Sequence, residues 1–202
     1  MAEYYLKTPI SEEDVRKLQV GDIVYISGIM ITARDAAHKR AISLAKGGKV
    51  NEIPVNFEGL ALYHCGPVVK KVNDTWKVFA AGPTTSARME AIEGEFIRLF
   101  KVRAIIGKGG MGAKTAEAAK EVGAFYGAFT GGTAALAAEA IKRVKEVHWL
   151  DLGTPEALWV LEVENFGPLV VAIDSHGNNL YDTVLKEAEE NKVKVLKELG
   201  LI

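Results

Sequence analysis

Short apolar runs and helical stretches alternate along this chain, and turns that contain glycine separate them. The runs at 22–28 and 102–106 have the length and composition of strands, and helical stretches begin after them at 31 and 113. Three further strand-like runs follow one another near the C-terminus, at 147–152, 158–163 and 169–174. This order of elements predicts an α/β fold with mixed strand pairing.

Both ends of the chain carry predicted helices. Ser11 and Asp14 have approximately the spacing of a capping box, which predicts a short helix that ends near Leu18. A charged amphipathic stretch predicts a final helix over 181–199. No repeat or low-complexity linker divides the 202 residues, of which 49% are hydrophobic, so we expect a single domain over 1–202.

The composition argues against several classes of protein. The net charge is −1 and basic residues are mixed with acidic ones, so we expect no nucleic-acid partner. No apolar stretch approaches the ~20 residues of a membrane span, and the N-terminal residues lack the layout of a signal peptide. We therefore expect a cytoplasmic protein with no membrane partner and a small anionic ligand.

A single cysteine, Cys65, limits the cofactors that this chain can hold by itself. It excludes an internal disulfide, and one thiolate is too few for an iron–sulfur or structural zinc site. We expect Cys65 to end a buried strand, and we expect no metal ligands in this chain. Any such cofactor must come from elsewhere.

The segment Gly-Pro-Thr-Thr-Ser-Ala-Arg-Met at 82–89 predicts an anion site. An apolar run at 76–81 stops at its first two residues, and Thr84 falls where a helix N-cap is expected. Arg88 lies one helical turn later on the same face. A helix N-terminus offers unpaired N–H groups and a partial positive charge, so an anion would be bound by backbone and guanidinium together.

A second glycine-rich turn, at 107–112, follows the predicted strand at 102–106. Its glycines allow backbone N–H groups to approach a ligand closely, and Lys108 adds a mobile charge. Gly107, Gly109 and Gly112 also fit the dinucleotide-binding pattern, which leaves a nucleotide-binding domain as an alternative. The acidic residue expected about 20 positions later, which would bind a ribose, is missing.

A third turn of this kind precedes the helical stretch at 31–40. Thr32 is a candidate N-cap, and Arg34 and His38 share a helix face because they are four residues apart. Any one of these turns is weak evidence for a site. Three of them fit the rule that α/β sheets bind ligands beyond the carboxyl ends of their strands.

Four segments of the chain together resemble the β subunit of class I fumarate hydratase. The segments are Thr-Ala-Arg-Asp-Ala-Ala-His at 32–38, Gly-Pro-Val at 66–68, the segment at 82–89, and Ile-Gly-Lys-Gly-Gly-Met at 106–111. The same unit forms the C-terminal domain of single-chain members, and the β subunit of L-tartrate dehydratase is a close relative. The resemblance extends from about Pro9 to beyond Asp174.

The resemblance implies a swivelling β/β/α domain that docks on a larger α subunit in a hetero-oligomer. That subunit is expected to hold a 4Fe–4S cluster on three cysteines, with one iron open to act as a Lewis acid. The implied reaction is reversible hydration of fumarate to (S)-malate, a step of the tricarboxylic acid cycle. Dehydration of L-tartrate to oxaloacetate is the alternative.

The resemblance also assigns roles to residues of this chain. Arg34, Arg88 and Lys108 would bind a dicarboxylate substrate, and Thr84 would move the proton at the carbon next to a carboxylate. A threonine hydroxyl is a poor base, so a positioning role for Thr84, with the acid or base on the α subunit, stays open. The candidates for supporting roles are Asp35, His38, Thr85, Gly109 and Gly110, and His38 is expected to orient Asp35 or the substrate.

Overall fold

The structure is a computed structural model that describes residues 1–201. Its strands are β1 (Glu3–Lys7), β2 (Ile23–Thr32), β3 (Ala61–Tyr63), β4 (Val68–Val72), β5 (Thr75–Ala80), β6 (Ala104–Gly107), β7 (Phe125–Ala128), β8 (Ile141–His148) and β9 (Leu158–Ile173). Its helices are α1 (Glu12–Arg16), α2 (Asp35–Lys46), α3 (Glu90–Phe100), α4 (Ala113–Val122), α5 (Ala134–Ala140) and α6 (Leu180–Glu198). Short 3-10 turns lie at Val50–Glu52, Ser86–Met89 and Leu150–Leu152.

Seven strands form one mixed sheet in the order β1-β2-β3-β6-β7-β9-β8. The first five of these pair in parallel, whereas β9 runs antiparallel to β7, β8 and β2. Because β9 pairs with β2 as well as with β7, part of the sheet closes into a partial barrel. The prediction of a mixed α/β fold is confirmed, and the swivelling β/β/α description stays a prediction.

Alternate residues of the parallel strands enter two different hydrophobic clusters. In β6, Ala104 and Ile106 pack in the cluster that contains Trp159 of β9, and Ile105 packs in the cluster that contains Phe96 of α3. Successive side chains of a strand point to opposite faces, so both faces of the sheet are covered. The strands are thereby held at fixed positions beneath the loops that follow them.

The C-terminal strands differ from the prediction. The runs at 158–163 and 169–174 belong to one strand, β9, of 16 residues. It continues through Pro168 because its two halves are paired by neighbours on both sides, with β8 and β2 along the first half and β2 and β7 along the second. Tertiary pairing therefore overrides the local turn signal.

The strand before the segment at 82–89 does not belong to the main sheet. It is β5, which pairs only with β4 in an antiparallel hairpin. The expectation of three equivalent strand–loop–helix units is therefore wrong for this segment. Its loop enters the site from a hairpin, whereas the loops after β2 and β6 follow strands of the sheet.

The predicted terminal helices are confirmed with small differences in length. The Ser11 hydroxyl accepts from the Asp14 N–H at 3.1 Å at the start of α1, and the Asn179 side chain caps α6 by accepting from the Tyr181 N–H at 3.0 Å. Within residues 1–201, no helix has both the length and the apolar character that crossing a membrane requires.

Candidate active site

Four loops meet at the edge of the sheet where the parallel strands β2, β3 and β6 end. Thr32 pairs with Tyr63, and Tyr63 pairs with Ile106, so the residues that follow these three strands lie side by side. The loop at 82–86 joins the same edge, because the Thr84 N–H donates to the His64 carbonyl at 2.7 Å. This edge is where α/β sheets bind their ligands.

The Thr84 and Lys108 loops are hydrogen-bonded to each other through the backbone. The Ser86 N–H donates to the Lys108 carbonyl at 2.8 Å, and the Lys108 N–H donates to the Thr84 carbonyl at 3.3 Å. The position of either side chain therefore depends on both loops.

Arg88 links Thr84 to Asp35. Its Nη2 donates to Thr84 Oγ1 at 3.2 Å and to Asp35 Oδ2 at 2.9 Å. Burial raises the pKa of Asp35, but hydrogen bonding to its own backbone and the charge of Arg88 outweigh burial and hold the pKa below its usual value. The Arg88 side chain is 45% exposed, so much of the guanidinium faces outward. The structure thus brings these three predicted residues together.

Thr84 is not the N-cap that its sequence position suggests. Thr85 precedes the 3-10 turn at Ser86–Met89, and no side chain caps that turn. The Thr84 hydroxyl instead contacts Arg88. Thr85 is exposed, and its methyl group lies against Gly109 of the neighbouring loop. The Thr84 hydroxyl is thus not committed to a helix end.

Arg34 immediately precedes α2, and the Glu156 carboxylate contacts both the Arg34 side chain and the first turn of the helix. Arg34 Nε lies 3.3 Å from Glu156 Oε1, while Glu156 Oε2 accepts from the Ala36 N–H at 2.8 Å. The predicted capping role of Thr32 is wrong, because Thr32 is the buried last residue of β2. Glu156 lies more than a hundred residues from α2 in sequence, and no local pattern indicated it.

Lys108 lies half-buried in the turn between β6 and α4. Gly109 and Gly110 both adopt φ of +77°, a backbone conformation that favours glycine. The ring of Tyr181 covers Gly110 so closely that an added Cβ would lie 3.0 Å from it, and the Asn179 side chain donates to the Met111 carbonyl at 3.1 Å. The first turn of α6 therefore holds the loop that carries Lys108.

The N-terminus of α4 is already occupied by a carboxylate of the chain itself. Glu90 accepts from the N–H groups of Gly112 at 2.7 Å and Lys114 at 3.0 Å, and from the Thr115 hydroxyl at 2.7 Å. The N–H groups of Gly112 and Lys114 are therefore paired within the chain, while the approach of a ligand to the N–H groups of Gly109 and Gly110 stays a prediction. Glu90 also fills the place where the pyrophosphate of a dinucleotide would sit, which argues against the nucleotide-binding alternative.

His38 makes no hydrogen bond to Asp35, one of the two groups that it was expected to orient, and its role toward the substrate stays a prediction. Its ring is fully buried, with Nδ1 2.8 Å from the Arg34 carbonyl and Nε2 3.1 Å from Glu93 Oε2. The hydrogen-bond partner of Asp35 is Arg88 instead. Residue type alone did not indicate a buried role for Glu93, because a glutamate on an amphipathic helix is ordinarily exposed.

Cys65 is fully buried beyond the end of β3, where it forms a backbone bridge with Pro83. Burial raises the pKa of its thiol to about 12, against a smaller opposing effect of Arg34. Thiolates rather than thiols bind metal clusters. This side chain is therefore a poor ligand for an iron–sulfur cluster.

We expect Cys65 to resist alkylation in the folded protein, because only the thiolate of an accessible cysteine reacts quickly. At pH 8, iodoacetamide should label the Cys65 peptide at least about 100-fold more slowly in native buffer than in guanidinium chloride. Peptide mass spectrometry measures both rates in the same experiment. Equal rates would show that the thiol is accessible.

The arrangement has the chemistry of a site for a small anion, although Glu156 and Asp35 pair with two of its three cations. Three cationic side chains, Arg34, Arg88 and Lys108, extend from adjacent loops, and a hydroxyl lies against one of them. Fixed cations of this kind stabilise charge that develops on carboxylate oxygens. The site lies on an exposed edge, and it belongs to the class of α/β enzymes and binding subunits that use loops at the carboxyl ends of strands.

Comparison with known proteins defines the family. The model of the fumarase C-terminus family matches residues 2–184. The chain belongs to this family, which contains the β subunits of fumarases and tartrate dehydratases.

Three relatives show how the unit is arranged in other proteins. The chain is 43% identical over 194 residues to the L(+)-tartrate dehydratase subunit beta of Escherichia coli, covering 96% of this chain and 94% of that one. It is 49% identical over 187 residues to a Methanocaldococcus jannaschii protein provisionally named as the same subunit, covering 92% and 95%. A Geobacillus stearothermophilus protein provisionally named fumarate hydratase class I is 45% identical over 194 residues, which cover 96% of this chain and 36% of that longer one.

Proposed function

We propose that this chain is the β subunit of a heteromeric iron–sulfur hydro-lyase that hydrates fumarate reversibly to (S)-malate. The observation that carries the proposal is the contact of Thr84 Oγ1 with Arg88, 3.2 Å from Nη2, beside the Lys108 loop. The contact brings a hydroxyl next to a cation at the edge where α/β sheets commonly bind ligands. The names of the relatives support a hydro-lyase subunit.

The residues of this chain fit the charge changes of the reaction. When a proton leaves the carbon next to a carboxylate, negative charge grows on the carboxylate oxygens, and charged donors stabilise it. Arg34, Arg88 and Lys108 would hold the two carboxylates. Arg88 donates to Thr84 Oγ1, so the hydroxyl proton is free to point toward the substrate, and the guanidinium stabilises charge on that oxygen.

The cluster implied by the family is assigned to the partner and not to this chain. The only thiol here is buried and its pKa is raised, so the donor set of this chain does not fit an iron–sulfur cluster. We place the cluster on an α subunit that completes the site. The exposure of Arg88 and Thr85 leaves room for a partner surface.

Reconstitution tests the proposed function. We expect no turnover from the purified chain alone, and turnover of fumarate and (S)-malate after co-expression with an α subunit encoded nearby, purified without oxygen. The measurement is product formation from fumarate, (S)-malate and L-tartrate, for the chain and for the complex. Turnover by the chain alone would reject the division into two subunits, and a well-assembled complex that is inactive on all three substrates would reject the function.

Dehydration of L-tartrate to oxaloacetate is the second candidate. It is favoured by the relatives that match this chain over 94% and 95% of their own length, because both are named for tartrate. (S)-malate and L-tartrate share two carboxylates, and L-tartrate has one hydroxyl group more. Turnover of L-tartrate with none of fumarate in the same assay would select this candidate.

A further inference from the structure

A cluster of three fully buried polar side chains lies beneath the candidate site, and the proposed chemistry does not use it. His38 Nε2 and His64 Nε2 each lie 3.1 Å from the same oxygen of Glu93, and none of the three side chains is exposed. Burying a carboxylate costs free energy, and pairing it does not always recover that cost. General stability therefore does not explain why the chain places Glu93 here.

The hydrogen-bond partners assign the protons of both imidazoles. The Arg34 carbonyl can only accept, so His38 Nδ1 carries a hydrogen, and the contact of Nε2 with Glu93 calls for a second one. The Tyr126 hydroxyl donates to Ser86 Oγ at 3.1 Å, which leaves the Ser86 hydroxyl to donate to His64 Nδ1 at 2.9 Å. Neutral His64 then presents its Nε2–H to Glu93.

The pKa directions agree with this assignment. Burial lowers the pKa of His38, but the Glu93 carboxylate outweighs burial and raises it above its usual value. At His64 burial prevails and the pKa is lowered. Burial raises the pKa of Glu93, but the two imidazoles outweigh burial and lower it. These directions agree with a Glu93 carboxylate that favours the protonated form of His38 more than that of His64.

Both histidines of the cluster are hydrogen-bonded to loops that carry candidate site residues. His38 donates to the Arg34 carbonyl, and the His64 carbonyl accepts from the Thr84 N–H. Ser86, which bonds the His64 ring, also donates its N–H to the Lys108 carbonyl.

Ser86 fits against the Lys108 loop only because the residue before the lysine is glycine. A Cβ on Gly107 would overlap Ser86 Oγ. The hydroxyl that bonds the His64 ring therefore also lies directly against the backbone that leads to Lys108.

We propose that Glu93 is a positioning residue, which acts through His38 and His64 to hold the Arg34, Thr84 and Lys108 loops in one relative arrangement. The inference rests on the proposed function for its kinetic consequence, but the arrangement of the loops can be measured without turnover. Glu93 lies on α3, so this helix would fix the relative positions of three loops that follow β2, β5 and β6.

A metal ion is the rival explanation for the same side chains. The ligand atoms of His38, His64 and Glu93 lie within 4.8 Å of one another, and two histidines with one glutamate form a set that zinc binds. Neither contact with Glu93 has the geometry of a hydrogen bond, and within residues 1–201 the second oxygen of Glu93, Oε1, has no hydrogen-bond partner. Zinc would take the place of the hydrogens on both Nε2 atoms, so the zinc content of the purified complex separates the two explanations.

The test uses the assembled complex with Glu93→Gln, and with Glu95→Gln as the matched control. Glu95 lies on the same helix but pairs with Lys46 at the surface, so its loss should change nothing. We expect Glu93→Gln to lower kcat at least about 10-fold and to raise KM. Amide hydrogen exchange should accelerate at least about 10-fold in 82–86 and 107–111, at a temperature well below unfolding.

Ser86→Ala keeps the test decisive if Glu93→Gln fails to fold. It removes one hydroxyl and creates no clash with Gly107, and it should accelerate exchange in the same two segments. A folded Glu93→Gln or Ser86→Ala variant with unchanged exchange would overturn the proposal, and so would a lowered melting temperature with unchanged kcat and KM. Stoichiometric zinc in the wild-type complex that is lost in Glu93→Gln would also overturn it.

The same measurements distinguish a failure of the positioning role of Glu93 from a failure of the proposed hydro-lyase function. If the complex converts neither fumarate nor L-tartrate, the proposed function fails, while accelerated exchange in Glu93→Gln still supports the positioning role. If the complex is active and exchange is unchanged in the folded variant, the positioning role alone fails.

Discussion

Thr84→Val should lower kcat of the assembled enzyme by about 10²–10⁴-fold, the usual contribution of a positioned acid or base. Valine keeps the branched shape of threonine but removes the oxygen that Arg88 Nη2 contacts at 3.2 Å. The fold should be unaffected, because the hydroxyl caps no helix. Steady-state kinetics on the favoured substrate, with a melting curve for each variant, measures the effect.

Thr84→Ser is the matched control for this prediction. Serine keeps the hydroxyl and loses only a methyl group, so kcat should stay within about 10-fold of the wild type. If Thr84→Val raises KM and leaves kcat unchanged, Thr84 positions the substrate and the proton is moved by the α subunit. Near-normal values of both constants in Thr84→Val would remove Thr84 from the site.

Arg88→Ala is the second variant with a large expected effect, a loss of about 10²–10³-fold in kcat/KM. This is the usual result of removing one charged or polar donor aimed at developing negative charge. The guanidinium contacts both Thr84 and Asp35, so its loss also leaves the Thr84 hydroxyl without its donor. The measurement is kcat/KM of the assembled complex, together with gel filtration to verify assembly.

Arg98→Ala is the control, because Arg98 is a partly exposed arginine that lies on α3 and pairs with Glu121. Surface ion pairs of this kind contribute about 0–1 kcal/mol to stability, and Arg98 lies outside the site. Its kinetics should match the wild type. Comparable losses in Arg88→Ala and Arg98→Ala would indicate a general effect of charge rather than a role for Arg88.

The sequence predicted the parts of the site that depend on local pattern. The glycines around Lys108 and the four-residue spacing of Thr84 and Arg88 are short-range signals. The residues that carry them lie at the predicted edge of the sheet, where the parallel strands end. The relation of Thr84 to Arg88 holds although the N-cap prediction for Thr84 is wrong. Four-residue spacing brings side chains together in a tight turn as it does in a helix.

The site residues absent from the sequence-based prediction all contact groups that are distant from them in sequence. Glu156 reaches Arg34 and Glu90 reaches the start of α4, while Glu93 joins histidines from two other elements. No local pattern distinguishes Glu90 or Glu156 from a solvated carboxylate. For Glu93 there is one sequence signal, because Phe96 and Ile97 follow it by three and four residues and so place it on the apolar face of α3.

The carboxylates at the helix starts have a consequence for how the subunit can be produced. Glu90 completes the first turn of α4 and Glu156 completes that of α2, so both helix ends are electrically balanced without any bound anion. Folding of the loops therefore does not have to wait for substrate. On the proposed function, these two helix ends would form before the subunit meets its partner or its substrate.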